Sequence, residues 1–230
     1  MQRYFLEKEG HEITGSDVFH ITKVMRMKTG DRVIVCYQKQ CYEVALNIED
    51  ARVFFDVIKP INAQQEPTIT LVQGLPKHPK TETIAKYATL FGASHIIFVP
   101  MHRSIAKSDN EANKLKRLNA ITKEAAELSH RNEVPSVSFI DHLKSIDWHT
   151  FSDIILCDEN EHTQTLNQTV KDINNQRHYA IIIGPEGGIS EAERNYLQSV
   201  HAISVSLGHR ILPTELASLY PLVYLSLKNM

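Results

Sequence analysis

The sequence predicts an α/β protein, with a C-terminal domain on a parallel sheet flanked by helices and a small β-barrel before it. Three observations carry this. Residues 1–68 hold several short apolar runs and little helix. From residue 69 onward, strand-like and helix-like patterns alternate, the signature of a parallel sheet. The run Ala180-Ile181-Ile182-Ile183 is nearly pure apolar, as a strand buried on both faces should be.

In order along the chain, Arg3-Tyr4-Phe5-Leu6 is short and extended. A small helix follows, with Asp17 as N-cap and Val18, Ile21, Val24 and Met25 behind it. Val33-Ile34-Val35-Cys36-Tyr37, the polar turn Gln38-Lys39-Gln40 and Cys41-Tyr42-Glu43-Val44-Ala45-Leu46 form a hairpin pattern. It brings Cys36 opposite Cys41, read as buried thiols. Residues 53–58 form another apolar run that stops at Pro60. Several short strands suggest a small barrel. The polar segment 62–67, ending in Pro67, marks the boundary between a 1–68 barrel and a 69–230 α/β domain.

In the second domain Ile69-Thr70-Leu71-Val72 is a strand. Residues 81–91 are a helix with Ile84, Tyr87, Ala88 and Phe91 on one face and Gly92 at its end. Ile96-Ile97-Phe98-Val99 is a strand. A longer helix runs from Asp109 to about Ser129 with Leu115, Leu118, Thr122, Ala125 and Leu128. Strands follow at 154–157, 180–183 and 203–207, then a helix from Thr214 that Pro221 should kink or delay.

The bulk numbers exclude several classes. At 42% hydrophobic and 23% charged residues the chain is an ordinary globular one, and its net charge of -2 gives no global reason for nucleic-acid binding. Three cysteines without a CxxC pair argue for free thiols in a reducing cytosol. No apolar run approaches the roughly 20 residues of a membrane span. Twelve histidines show neither HExxH nor zinc spacing, so no metal is expected.

Three features carry chemistry. The first is Ile183-Gly184-Pro185-Glu186-Gly187-Gly188-Ile189-Ser190, which leaves a buried strand and enters a helix capped by a Ser190/Glu193 box. Ligands sit at this end of open α/β sheets, and a tight structural turn is the plain alternative. Glu186 argues against a phosphate ligand and for a neutral or cationic one. The second is the residue 207–217 loop, again a strand ending in glycine before a helix. The third is the stretch from Lys77 to Arg131, which holds ten Lys and Arg against five Asp and Glu, so a net +5 here leaves the remainder at -7. It fits RNA contact as well as it fits helices wearing solvated lysines.

At these residues the chain resembles a known family. Leu75-Pro76-Lys77, residues 86–94, Arg103-Ser104, residues 124–131, 184–188 and 207–217, with residues 20–26 and Gly30-Asp31, are similar to the bacterial 16S ribosomal RNA uridine-N3 methyltransferases of the SPOUT, or α/β-knot, class. The resemblance spans nearly the whole chain. It implies a deep trefoil knot in the C-terminal domain, a PUA-like RNA-binding N-terminal barrel, a cytoplasmic homodimer, and as substrate a uridine in the decoding region of the small ribosomal subunit. It implies S-adenosylmethionine held by Leu156 and Cys157, by Gly184, Glu186, Gly187 and Gly188, and by Leu207, Gly208, Ile211 and Leu212.

For the chemistry it points to Arg210 for orienting or polarising the uracil, with Arg131 and Arg103 next. Glu215 is either a base or a partner of backbone N–H groups at the helix start, and Glu186 would offset the sulfonium charge. Arg26, Lys77, Lys86 and Arg103 are the RNA contacts. The sequence departs from the family pattern at Pro213, where an Arg is usual, and at Leu128 and His78. Two other readings are a knot-class enzyme acting elsewhere on RNA, such as a ribose 2′-oxygen, and a catalytically weakened RNA-binding protein.

Overall fold

The computed structural model describes residues 1–62, 66–105, 111–171 and 173–228, in two units. The first comprises Met1–Gln64 with Ala126–Val134, the second Gln65–Ala125 with Pro135–Met230. A boundary read along the chain could not reveal that residues 126–134 return to the first unit. A long-range contact brings them there: the Arg3 guanidinium donates to the His130 and Arg131 carbonyls and, at 2.8 Å, to Asn132 Oδ1.

The first unit is a five-stranded sheet ordered β1-β3-β4-β5-β2. Its strands are β1 (Arg3–Phe5), β2 (Glu12–Ile13), β3 (Arg32–Tyr37), β4 (Gln40–Glu49) and β5 (Arg52–Ile61). Alternate residues such as Val33, Val35, Val44 and Leu46 point into one apolar core with Tyr4, Ile13 and Ile21. The β3–β4 hairpin turns on Gln38 and Lys39, both at positive φ (46° and 68°), the twist that two-residue hairpins favour.

That register pairs Cys36 directly with Cys41, and the two form a disulfide. The expectation of free thiols there is therefore corrected. The chain-wide cysteine count speaks to compartment, whereas bonding is decided by two side chains facing each other across a tight hairpin. Cys157 alone is a free, buried thiol.

Two further expectations change in this unit, those for the first helix and for the strand end at Pro60. The short helix α1 (Ser16–Phe19) has Gly15 at its N-cap and Asp17 in its first turn, without a side-chain cap, and continues as a π-helical turn over His20–Val24. Strand β5 continues through Pro60 to Ile61. β2 pairs it only at Val53 and Phe54, so the missing N–H of Pro60 interrupts no ladder on that side. Part of the polar 62–67 segment, residues 63–65, lies outside the described residues, as do Lys107 and the expected helix start at Asp109.

The second unit is an all-parallel six-stranded sheet, ordered β11-β9-β10-β6-β7-β8. Its strands are β6 (Thr68–Gly74), β7 (His95–Val99), β8 (Ser136–Phe139), β9 (Asp153–Cys157), β10 (His178–Ile183) and β11 (Ile203–Val205). Central β10 is buried from Tyr179 to Ile183, which accounts for its unbroken apolar run. Side chains above and below the sheet form two separate cores, as expected when helices cover both faces. Strand β11 ends at Val205, so Leu207 belongs to the following loop.

The helices are α2 (Lys80–Leu90), α3 (Glu111–Leu128), α4 (Leu166–Thr169), α5 (Glu191–Ser199) and α6 (Thr214–Lys228). Ile84, Ala85, Ala88 and Thr89 are the buried face of α2, while Tyr87 is exposed. Leu128 at the end of α3 is exposed as well. In both cases the apolar residue falls just off the inward stripe of its helix. Helix α6 begins at Thr214 without delay and runs through Pro221. Among the described residues no helix is long and apolar enough to cross a membrane.

Candidate functional site

Parallel strands bring their carboxyl ends to one edge, and three loops meet there: residues 158–165 after β9, 184–190 after β10 and 206–213 after β11. Together with Arg103 they line a cavity of about 920 Å³. This is the crevice in which open α/β sheets hold their ligands. Its wall mixes apolar side chains (Ile183, Leu207, Ile211, Leu212) with charged ones (Arg103, Glu159, Glu186, Arg210).

The loop after β10 is shaped by close approach. A Cβ on Gly184 would lie 2.8 Å from Ile189 Cγ1, and one on Gly187 2.8 Å from Arg103 Cβ. Gly188 has φ +73°, and a Cβ there would lie 2.8 Å from Glu159 Cδ. On the opposite loop Gly208 has φ +114°, and a Cβ on it would meet open space. The helix behind the loop after β10 starts as expected. Ser190 accepts from Glu193 N and Glu193 accepts from Ser190 N at 2.9 Å, a complete capping box. Glu193 Oε1 also accepts from His102 N at 2.6 Å.

Below the loops lies a buried polar joint. Gln73 is fully buried, and its amide nitrogen lies 3.2 Å from Gly184 O and 2.8 Å from Thr214 Oγ1. Thr214 Oγ1 in turn donates to Gly184 O at 2.7 Å. The end of β6, the glycine loop and the start of α6 are thus fastened together.

The ion pairs reassign several carboxylates. Lys80 Nζ lies 2.8 Å from Glu215 Oε2 and 3.4 Å from Glu186 Oε1, and Glu186 also accepts from Lys77 N at 3.0 Å. Burial alone would raise the Glu215 pKa, but Lys80 and the residue's own backbone N–H outweigh it and bring it below the usual carboxylate range. The Lys80 ammonium is correspondingly pushed up, first by Glu215. Asp158, 4% exposed, is gripped by both arms of Arg194, Nη2 to Oδ1 at 2.9 Å. Removing Arg194 would leave the Asp158 carboxylate buried and unpaired, which costs about 3–5 kcal/mol. Cys157 is no nucleophile here, since burial and then Asp158 push its thiol well above the ordinary range.

Glu161 braces the first loop. Its Oε1 accepts from Thr163 N and Thr163 Oγ1, both at 2.6 Å, and from Gln164 N at 2.9 Å. Those bonds, led by the Thr163 hydroxyl, hold its pKa down to about 2, against roughly 4.3 in an unfolded chain. A depressed folded pKa adds stability that is complete above the unfolded value and disappears as pH falls through the folded one. The loop should therefore loosen between about pH 4.5 and about pH 2. Side-chain carboxyl NMR should give a midpoint near 2 for Glu161, and an ordinary glutamate midpoint would remove the brace.

Of the residues singled out in the sequence, Cys157, Gly184, Glu186, Gly187, Gly188, Leu207, Gly208, Ile211 and Leu212 line the cavity, with Arg103 and Arg210. Leu156 is fully buried in the sheet and is not part of the wall. Glu215, Lys77 and Lys86 are not wall residues either, although the Lys77 N–H and Glu215 belong to the Glu186–Lys80 network. Arg131 is buried and, like exposed Arg26, belongs to the first unit.

The sequence reading passed over Gln73, Lys80, Asp158, Glu159, Arg194 and Thr214 as site residues. Gln73 alone left a signal, a polar residue closing the apolar run of β6.

Comparison with known proteins adds three kinds of finding. The sequence profile of an RNA methyltransferase domain matches residues 64–226, and that of an RNA methyltransferase PUA domain matches residues 13–40. Ribosomal RNA small subunit methyltransferase E of Bacillus subtilis (strain 168) is 34% identical to this chain, covering 98% of it and 96% of its own length. A crystal structure described only as a hypothetical protein superposes with a TM-score of 0.87 at 33% identity, over 99% of this chain and 98% of the other. A ribosomal RNA small subunit methyltransferase E from Neisseria gonorrhoeae, bound to S-adenosyl methionine, has the same fold, with a TM-score of 0.80 at 24% identity over 97% of this chain and 96% of its own.

Proposed function

This chain belongs to the RNA methyltransferase family, and we propose that it methylates N3 of a specific uridine in the decoding region of 16S ribosomal RNA within the small subunit, using S-adenosylmethionine. The observation that carries this reading is the three-loop cavity at the carboxyl edge of the parallel sheet. The Bacillus subtilis relative, named for the small-subunit ribosomal RNA, supports the substrate. The Neisseria gonorrhoeae structure supports the cofactor.

The residues present fit that cofactor. Gly208 presents bare backbone to open space, apolar Leu207, Ile211 and Leu212 flank it, and Glu159 puts a carboxylate on the wall. Residues 184–188 and 207–212 would hold the adenine edge and ribose largely through their main chain. When bound, S-adenosylmethionine supplies an electrophilic methyl carbon on a positively charged sulfur.

Uridine N3 must lose its proton as the new N–C bond forms, so the site has to stabilise a developing anion. Arg210, exposed at the cavity wall, is placed to orient the uracil and to face that charge. Arg103, which donates to Gly187 O at 3.1 Å, steadies the glycine loop while offering its cation to a phosphate or base. Of the two roles open to Glu215, holding the start of α6 is favoured. An ion-paired carboxylate of lowered pKa is a weak base.

Residues 1–68, with the returning 126–134 segment, form the PUA-like RNA-binding barrel, and the remainder of 69–230 forms the catalytic domain. The exposed side chains of Arg26, Lys77 and Lys86 contact RNA, and Arg131, being buried, is withdrawn from substrate contact. A deep trefoil knot is supported by the strand order, in which β10 lies between β6 and β9 while β11 lies beyond β9. A homodimer is supported by the exposed side chains Leu216, Tyr220 and Leu227, which follow one another at helical spacing along α6. A ribosomal RNA substrate supports a cytoplasmic location.

Nucleoside mass analysis of small subunits treated with the protein should show 3-methyluridine. A 2′-O-methylated nucleoside would move the target to ribose, and an unmodified subunit would leave a binding protein.

A further inference from the structure

Three carboxylates face the cavity: Asp158, Glu159 and Glu186. Asp158 is neutralised by the double grip of Arg194, and Glu186 shares the Lys80 ammonium with Glu215 and accepts from the Lys77 N–H. The Glu186 carboxylate, which the sequence suggested for offsetting a sulfonium, is thus already engaged by a cation and a backbone donor.

Glu159 differs. It is exposed, and among the described residues it forms no ion pair. It is nevertheless held in place, because Oε1 accepts from Ile189 N at 3.1 Å and the carboxylate lies flush against Gly188. Arg194, the cation whose charge it feels, spends its guanidinium on Asp158 and the Ile189 carbonyl. The result is a fixed, uncompensated negative charge on the wall of a ligand cavity.

We propose that Glu159 is a specificity-determining residue that makes the site prefer the cationic methyl donor over its neutral, demethylated product. This rests on the reading of the cavity as the S-adenosylmethionine site. In the transfer the S–CH3 bond breaks and the N3–CH3 bond forms. The N3 proton leaves to solvent, and the bonding electron pair stays on sulfur. The sulfonium thereby becomes a thioether, while adenine, ribose and amino-acid groups are unchanged. A carboxylate that attracts the sulfonium loses that attraction at the moment of reaction, which helps S-adenosylhomocysteine to leave and a fresh donor to displace it. Such a residue contributes to binding selectivity and turnover without touching the uridine.

Calorimetry on the full chain tests this with three ligands: S-adenosylmethionine, S-adenosylhomocysteine and sinefungin, which carries an amine cation in place of the sulfonium. Glu159→Gln keeps an oxygen for Ile189 N and removes only the charge. It should weaken both cationic ligands about tenfold and leave the neutral one within about twofold, a size set by a partly solvated charge pair. Equal changes for all three ligands, or none, would overturn the proposal. If the Gln variant does not fold, Glu159→Asp, which withdraws the charge by one methylene, is read the same way, a selective loss of the cations supporting the proposal and an equal loss overturning it. Should the unaltered protein bind none of the three, it is the cofactor reading itself that fails.

Discussion

Gly188→Val should lower affinity for S-adenosylmethionine by more than about 100-fold while leaving the protein folded. Two independent costs add at this position. The backbone sits at φ +73°, a region that β-branched residues avoid and that costs on the order of 1–3 kcal/mol for a side chain held there. The new Cβ would also lie 2.8 Å from Glu159 Cδ, so either the carboxylate must leave Ile189 N or the loop must move. Both outcomes deform the wall between the first and second loops. The sheet beneath is untouched, since its core is made by β9 and β10 side chains rather than by the loop. Circular dichroism should thus match the parent protein while calorimetry shows the loss. Undiminished affinity would remove the glycine loop from the cofactor site.

Arg210→Ala should reduce turnover by about 100-fold, the scale seen when a charge-stabilising donor is removed from an active site, and change cofactor affinity by less than about twofold. Arg210 is exposed on the cavity wall and forms no ion pair among the described residues. Its cation is free for a substrate rather than committed to the fold. Glu215→Gln gives the contrast. Its carboxylate already belongs to Lys80, so the loss should appear mainly as lower stability at the start of α6. Equal activity of Arg210→Ala and the parent protein, measured by single-turnover methyl transfer, would take Arg210 out of the mechanism.

What the sequence made legible follows from locality. The buried β10 strand announces itself through an uninterrupted apolar run, and the Ser190/Glu193 box is written within four residues. The hairpin at Gln38-Lys39 was equally plain, although the bond between its two cysteines depended on register. Strand β8, Ser136–Phe139, was missed because it is short, carries two serines and lies at the sheet edge. The polar joint was missed for a different reason. Gln73 meets Thr214 across 141 positions, and Arg194 meets Asp158 across 36, distances over which no periodicity speaks. Glu159 reads like any solvated acid after a strand. Only its neighbours show that Asp158 and Glu186 are ion-paired and that it is not.

The most direct measurement is transfer of labelled methyl from S-adenosylmethionine to small ribosomal subunits isolated from a strain lacking this modification, with the parent protein and Gly188→Val run in parallel. The parent should label 16S ribosomal RNA, with the label recovered as 3-methyluridine, and the variant should leave the RNA unlabelled at the same donor concentration. Labelling by the variant at the parent's rate, or none by the parent, would contradict the assignment of the three-loop cavity as a uridine methyltransferase site.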